Sequence, residues 1–77
     1  MNWKTRFFAI LSTVFSDTET FTLTEVYQTC EGVMSYYYPN NNTIQASIRR
    51  NLEDFRDMNI VTFVDNKGTY SWVTDKA

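Results

Sequence analysis

The sequence predicts a small α+β fold in which three helices are closed by a carboxyl-terminal two-stranded ribbon. Apolar residues recur at three- and four-residue steps in three separate segments, the pattern of helices that face one core. Two β-branched and aromatic runs, residues 60–64 and 69–73, flank Asp65-Asn66-Lys67-Gly68, which is a hairpin signal. The chain has 77 residues, 43% apolar and 17% aromatic, with two glycines and one proline. That is one domain, 1–77, near the lower size limit for an unstapled core, and too apolar to stay disordered.

Trp3, Phe7, Ile10, Leu11, Val14 and Phe15 form the stripe of the first helix. Ser16-Asp17-Thr18-Glu19 breaks it, and residues 20–22 then read as a very short extended piece with Phe21 pointing inward. Thr22-Leu23-Thr24-Glu25 has the capping-box form, in which hydroxyl and carboxylate satisfy each other's orphan amides. The second helix is expected to run to about Met34, burying Leu23, Val26, Tyr27 and Cys30. Residues 35–41 read as a loop, because Pro39 bars Tyr38 from helical geometry. Asn42 is expected to cap the third helix, 42–58, with Gln45 as its capping-box partner. Ile44, Ile48, Leu52 and Phe55 give that helix its core side, and Asn59, tolerant of the left-handed conformation, stands where it should end. Gly68 suits the positive-φ position of the hairpin loop, and Tyr70 and Trp72 are expected to pack the ribbon on the first helix.

The absence of histidine and the single Cys30 exclude a disulfide framework, Cys/His zinc sites and Ser-His or Cys-His nucleophilic pairs. Cys30, among Val26, Tyr27, Val33 and Met34, reads as a small buried hydrophobe. No enzymatic activity, cofactor or metal is expected. The apolar run at the amino terminus is too short and too amphipathic to span a membrane or act as a leader, so a cytoplasmic setting and no membrane partner are expected. The Asn41-Asn42-Thr43 glycosylation pattern is accordingly a coincidence. A net charge of -2 weighs against nucleic acid, since Lys and Arg supply affinity by neutralising phosphates.

Helix, short strand, helix, loop, helix, hairpin is the order of a small winged helix-turn-helix, although the topology is known from families and not from periodicity. The segments "FTLTEVY" and "YPNNNTIQASIRRNLEDFRDMNIVTFVDNKGTYSW" narrow the comparison. They contain Phe21-x-Leu23-x-Glu25-x-Tyr27, Pro39-Asn40, Ile48-Arg49-x-x-Leu52-x-x-x-Arg56-Asp57 and Val64-Asp65-x-x-Gly68-x-Tyr70. Over residues 21–72 the chain resembles the winged-helix domain of Dam-replacing, methyl-directed restriction endonucleases. The resemblance implies duplex DNA as partner, adenine-methylated, read by the third helix in the major groove, in a restriction, phage-defence or regulatory context. It departs at Asn59, where the family usually has Gly, and at the wing, which is more basic in the family than Lys67 beside Asp65 makes it here. The nuclease domain of that family has no counterpart in the sequence.

Opposite the core stripe, the opening turns of the third helix offer Asn42, Thr43, Gln45, Ala46, Arg49 and Arg50. Arg pairs with guanine O6 and N7, Asn and Gln pair with adenine N7 and N6, and Thr43 and Ser47 suit phosphate oxygens. An alternative stands beside this reading: Arg49 with Glu53 and Arg50 with Asp54 are spaced for pairs along one helix, and Arg56 suits the helix carboxyl end. Lys67 is either a backbone contact at the wing tip or a residue of the turn. Tyr36, Tyr37 and Tyr38 either stack on bases or close the core beneath the third helix. With so few cations, DNA binding is expected to be weak alone and strengthened by a homodimer or a protein partner. The competing class is an acidic protein-interaction module, such as a phage-encoded inhibitor or an assembly subunit, presenting Asp17, Glu19, Glu31, Glu53, Asp54 and Asp57.

Overall fold

The computed structural model describes residues 1–65 and 67–73; Asn66 of the predicted hairpin loop and the polar tail 74–77 lie outside the described residues. The elements are α1 (Trp3–Val14), β1 (Thr20–Thr22), α2 (Leu23–Tyr37), α3 (Ile44–Asp57), β2 (Val61–Phe63) and β3 (Thr69–Trp72). The order matches the one expected, and two differences matter.

First, the sheet has three strands and not two. The short segment β1 pairs antiparallel with β3, placing Phe21 opposite Tyr70, so the order is β1-β3-β2 with β3 in the centre. Three residues carry too little alternation to announce a pairing partner, and the partner lies far along the chain. Second, α2 continues through Tyr37, beyond the expected end at Met34. Proline restrains only the residue before it. Tyr38 takes φ -130° and ψ 68° as the C-cap, and its N–H donates to the Met34 carbonyl at 2.8 Å.

The helix ends follow local chemistry. The Asn2 side chain caps α1 by accepting from the Thr5 N–H at 2.8 Å. The capping box on α2 is complete: the Thr22 hydroxyl accepts from the Glu25 N–H at 3.1 Å, and the Glu25 carboxylate accepts from the Thr22 N–H at 2.8 Å. Asn59, at φ 62°, ends α3 in a Schellman motif, with Ile60 N–H donating to Phe55 O at 2.8 Å and Asn59 N–H to Arg56 O at 3.0 Å.

The core joins all six elements. Ile44, Ile48, Leu52 and Phe55 are buried along α3 at the expected steps. Phe55 stacks on Phe7 of α1, with ring centroids 5.9 Å apart. A second aromatic column runs Phe15, Phe21, Tyr70, with spacings of 4.8 and 5.8 Å, and ties the end of α1 to the sheet. Trp72 packs against Phe8 of α1 and donates its Nε1–H to the Phe15 carbonyl at 3.0 Å, as expected of the ribbon. Tyr70 is buried between Phe21 and Phe63 on the neighbouring strands, in the same core cluster as Phe7 and Leu11 of α1. Val14, expected inward, is exposed, while Phe8, outside the predicted stripe, covers Phe55 and Trp72. Cys30 is fully buried, and that burial pushes its thiol up against a smaller opposing hydrogen bond with Thr29, so it packs as an unreactive small hydrophobe.

Candidate nucleic-acid interface

The chain enters α3 through an asparagine turn, and Asn41 organises it. Its Oδ1 accepts from the Thr43 N–H at 2.8 Å and from the Thr43 hydroxyl at 3.2 Å, while its Nδ2 donates to Ser47 Oγ at 3.3 Å. The expected Asn42–Gln45 capping box is therefore replaced. Thr43 is the N-cap residue, and no side chain bonds the first amides of the helix. An Asx turn satisfies the backbone two residues on and competes with a capping box for the same bend. Asn42 and Thr43 are left exposed beside a helix amino terminus whose orphan N–H groups are open to an anion.

Taking 100° per residue from the buried stripe divides the exposed surface of α3 into three lines. Ala46, Arg50, Glu53 and Asp57 point straight out. Gln45, Arg49 and Arg56 lie on the side toward α2 and the sheet, as two contacts show: Gln45 Nε2 donates to Glu31 of α2 at 2.9 Å, and Arg56 sits over the Phe63 ring at 4.6 Å. Ser47, Asn51 and Asp54 lie on the opposite flank, where Asp54 meets Lys4 of α1 at 2.9 Å. The Tyr70 hydroxyl feels the charges of Glu53, Arg49 and Arg56, although burial is the main cause of its raised pKa.

This arrangement decides how the arginines are partnered. Neither Arg49–Glu53 nor Arg50–Asp54 forms among the described residues, where Lys4–Asp54 is the single ion pair. Arg6 lies over Tyr37 at 4.0 Å and donates to the Tyr38 hydroxyl at 3.3 Å, and Arg56 is held by Phe63. Of the described lysines and arginines, Arg49, Arg50 and Lys67 alone have neither a carboxylate nor an aromatic face as partner.

Lys67 is exposed on the wing, in a loop that Asp65 holds. Asp65 Oδ1 accepts from the backbone N–H of Lys67 at 2.9 Å and of Thr69 at 3.3 Å, Gly68 takes φ 88°, and Leu23 N–H donates to the Gly68 carbonyl at 2.8 Å. The Lys67 backbone shapes the turn while its side chain stays outward. The hydrogen bond from Lys67 N–H, ahead of that from Thr69, holds the Asp65 carboxyl below the usual carboxylate range. A depressed folded-state pKa means that this contribution is complete above the unfolded-state pKa and disappears as pH falls through the lower folded value. Acid titration followed by amide NMR should show the Lys67 and Thr69 signals moving together below the usual carboxylate range. Signals that move within the usual carboxylate range, or at separate pH values, would exclude this turn.

All seven candidate residues are exposed: Asn42, Thr43, Gln45, Ala46, Arg49 and Arg50 over the entry to α3, and Lys67 on the wing. Tyr36 and Tyr37 extend α2 and are exposed, with Tyr37 covered on one face by Arg6, whereas Tyr38 packs on Trp3. Tyr37 and Tyr38 thus sit against α1, held by Arg6 and Trp3. Sequence reasoning missed Asn41, which carries an ordinary Asx-turn signal, and placed Glu31 only in the acidic surface of the alternative reading, since its bond to Gln45 spans 14 positions and leaves no local signal.

Among the described residues, no helix is long and apolar enough to cross a membrane. The curated proteins contain no match to the chain. The family model of the Dam-replacing HTH domain matches residues 2–72, which takes in α1 as well as the elements that carried the resemblance in sequence, so the chain belongs to the Dam-replacing HTH domain family.

Proposed function

We propose that the chain binds duplex DNA, with the amino-terminal half of α3 in the major groove and Lys67 of the wing on the backbone. One observation carries this reading: Arg49, Arg50 and Lys67, the described basic side chains left unpartnered, belong to the helix entry and the wing. A negative net charge is thereby compatible with DNA, because α3 does not spend these arginines on its own carboxylates. Arg49 and Arg50 would address guanine edges or phosphates, Asn42 would address an adenine, and Thr43 with the open helix amino terminus would take a phosphate. Ala46 is the apolar member of the outward line, suited to a thymine methyl or an adenine N6-methyl group.

The family supports adenine-methylated sites in a restriction, defence or regulatory setting, in the cytoplasm. The chain acts without catalysis or cofactor, and a homodimer or protein partner supplies contacts that three cations cannot. Titration at low salt against matched methylated and unmethylated duplexes tests the reading. Binding with a preference for the methylated duplex is expected; no binding to either by folded protein rejects it.

A second reading is favoured by one feature. A cleft of about 770 Å³ has Phe8, Ile60, Trp72 and Val73 as apolar lining and Asp17 and Glu19 as charged lining, which suits a basic protein segment. Specific capture of a nuclease or polymerase, with no retention on heparin, would favour that role over DNA binding.

A further inference from the structure

The bond between Gln45 and Glu31 restricts what the third helix can read. We infer that Glu31 is a positioning residue that fixes the Gln45 amide for an unmodified adenine, an inference that rests on the DNA-binding reading above. Glu31 belongs to α2, outside the helix proposed to enter the groove, and its Oε1 stands 2.9 Å from Gln45 Nε2. A carboxylate only accepts, so the nitrogen of the amide, and not its oxygen, must face Glu31. One N–H is committed to that bond. The amide keeps its second N–H and the whole of Oε1.

These remaining groups match one base edge. Bidentate pairing with adenine needs an N–H directed at N7 and an oxygen that accepts from the N6 amino group. Gln45 can do both while still bonded to Glu31. Guanine presents two acceptors, N7 and O6, so Oε1 would oppose one of them in either orientation of the amide, and donating both amide hydrogens instead would mean leaving the carboxylate. Methylation at N6 is excluded by the same geometry. In a Watson–Crick pair one N6 hydrogen is held by thymine, and the hydrogen facing the major groove is the one a methyl group replaces. Gln45 then has no donor to accept from. A methylated adenine in the site is therefore met elsewhere on the surface, and the base opposite Gln45 is unmodified.

Glu31 also has a cost. Its carboxylate lies against the helix proposed to enter the groove, and a negative charge there weakens binding to every sequence. Removing it should raise general affinity while discrimination falls, a split that loss of structure would not produce.

The experiment uses the full chain and its Glu31→Gln, Glu31→Ala and Gln45→Ala variants. A duplex selected from a randomised pool is resynthesised with each adenine changed in turn to guanine or to N6-methyladenine. In the unchanged protein, one position should lose about tenfold in affinity on either change. Glu31→Gln and Glu31→Ala should lower the discrimination against guanine at that position alone, leave the loss on N6-methylation in place, bind arbitrary duplex more tightly and keep the thermal midpoint. Gln45→Ala should abolish the discrimination on both changes, with no further loss when combined with Glu31→Gln. Undiminished discrimination against guanine in both Glu31 variants, or discrimination lost evenly at all positions, would overturn the inference and leave DNA binding standing. Absence of any duplex binding by the unchanged protein would overturn both.

Discussion

Phe55→Ala is expected to cost about 3–5 kcal/mol of folding stability, the range for deleting a fully packed aromatic ring. Phe55 is 2% exposed, stacks on Phe7, and meets Phe8 edge-on at 5.5 Å. It is the last core residue of α3, and its carbonyl receives the Ile60 N–H that closes the helix. A domain of this length has a total stability of roughly 4–12 kcal/mol, so the variant should be partly unfolded under ordinary conditions. With about 4–8 °C of midpoint per kcal/mol for small domains, thermal denaturation followed by circular dichroism should show a fall of about 12–40 °C. Urea denaturation should give the same ranking against Val14→Ala, whose exposed side chain should change stability by less than about 0.5 kcal/mol. A Phe55→Ala loss under about 1.5 kcal/mol would mean that α3 is not anchored through this ring.

The comparison between Phe55 and Val14 also marks what could be read from the sequence. Periodicity placed the α3 stripe correctly because Ile44, Ile48, Leu52 and Phe55 face one continuous core formed by both other helices and the sheet. It failed on α1 at Phe8, in mid-helix, and at Val14, its last residue: the side that is covered depends on where β3 carries Trp72, a fact of tertiary structure. Positions requiring a special backbone, Asn59 and Gly68, were legible because few residues tolerate positive φ. The capping of α3 was not, since Asn40, Asn41 and Asn42 can each bond the backbone two or three residues on, and only the fold selects Asn41.

The charged residues show a further limit. Spacing along one helix proposes Arg49–Glu53 and Arg50–Asp54, but an exposed pair of this kind stabilises by only about 0.2–0.5 kcal/mol. Any competing partner of similar strength redirects it. Lys4 claims Asp54 from another helix, which spacing within α3 cannot anticipate, and Arg50 is released toward solvent. The candidate site was legible as a set of residues, whereas their freedom to meet a ligand depends on contacts made by α1 and α2.

Arg49→Ala and Arg50→Ala are each expected to weaken DNA binding by about 1–3 kcal/mol, roughly 5- to 150-fold, if the lost contact is bidentate to a base. Stability should change by less than about 0.5 kcal/mol, since neither residue has an ion-pair partner among the described residues and both are exposed. Arg56→Ala is the control: its guanidinium lies over Phe63, so it should lose about 0.5–1 kcal/mol of stability and little affinity. Salt dependence separates the roles. With Arg49, Arg50 and Lys67 as the free cations, the slope of log affinity against log salt reaches about -2.7 only where all three sit on phosphates, at roughly 0.9 per neutralised phosphate on duplex DNA, and is shallower by about 0.9 for each arginine on a base edge. Lys67→Ala should make it shallower by about one while weakening all sequences alike. An arginine on a base edge should instead relax the preference at one position and leave the slope nearly unchanged. Because so few cations are available, the loss of one arginine removes a large share of the attraction, and a more basic helix would absorb the same change. Unchanged affinity after substitution of both Arg49 and Arg50, with the fold intact, would remove α3 as the reading element.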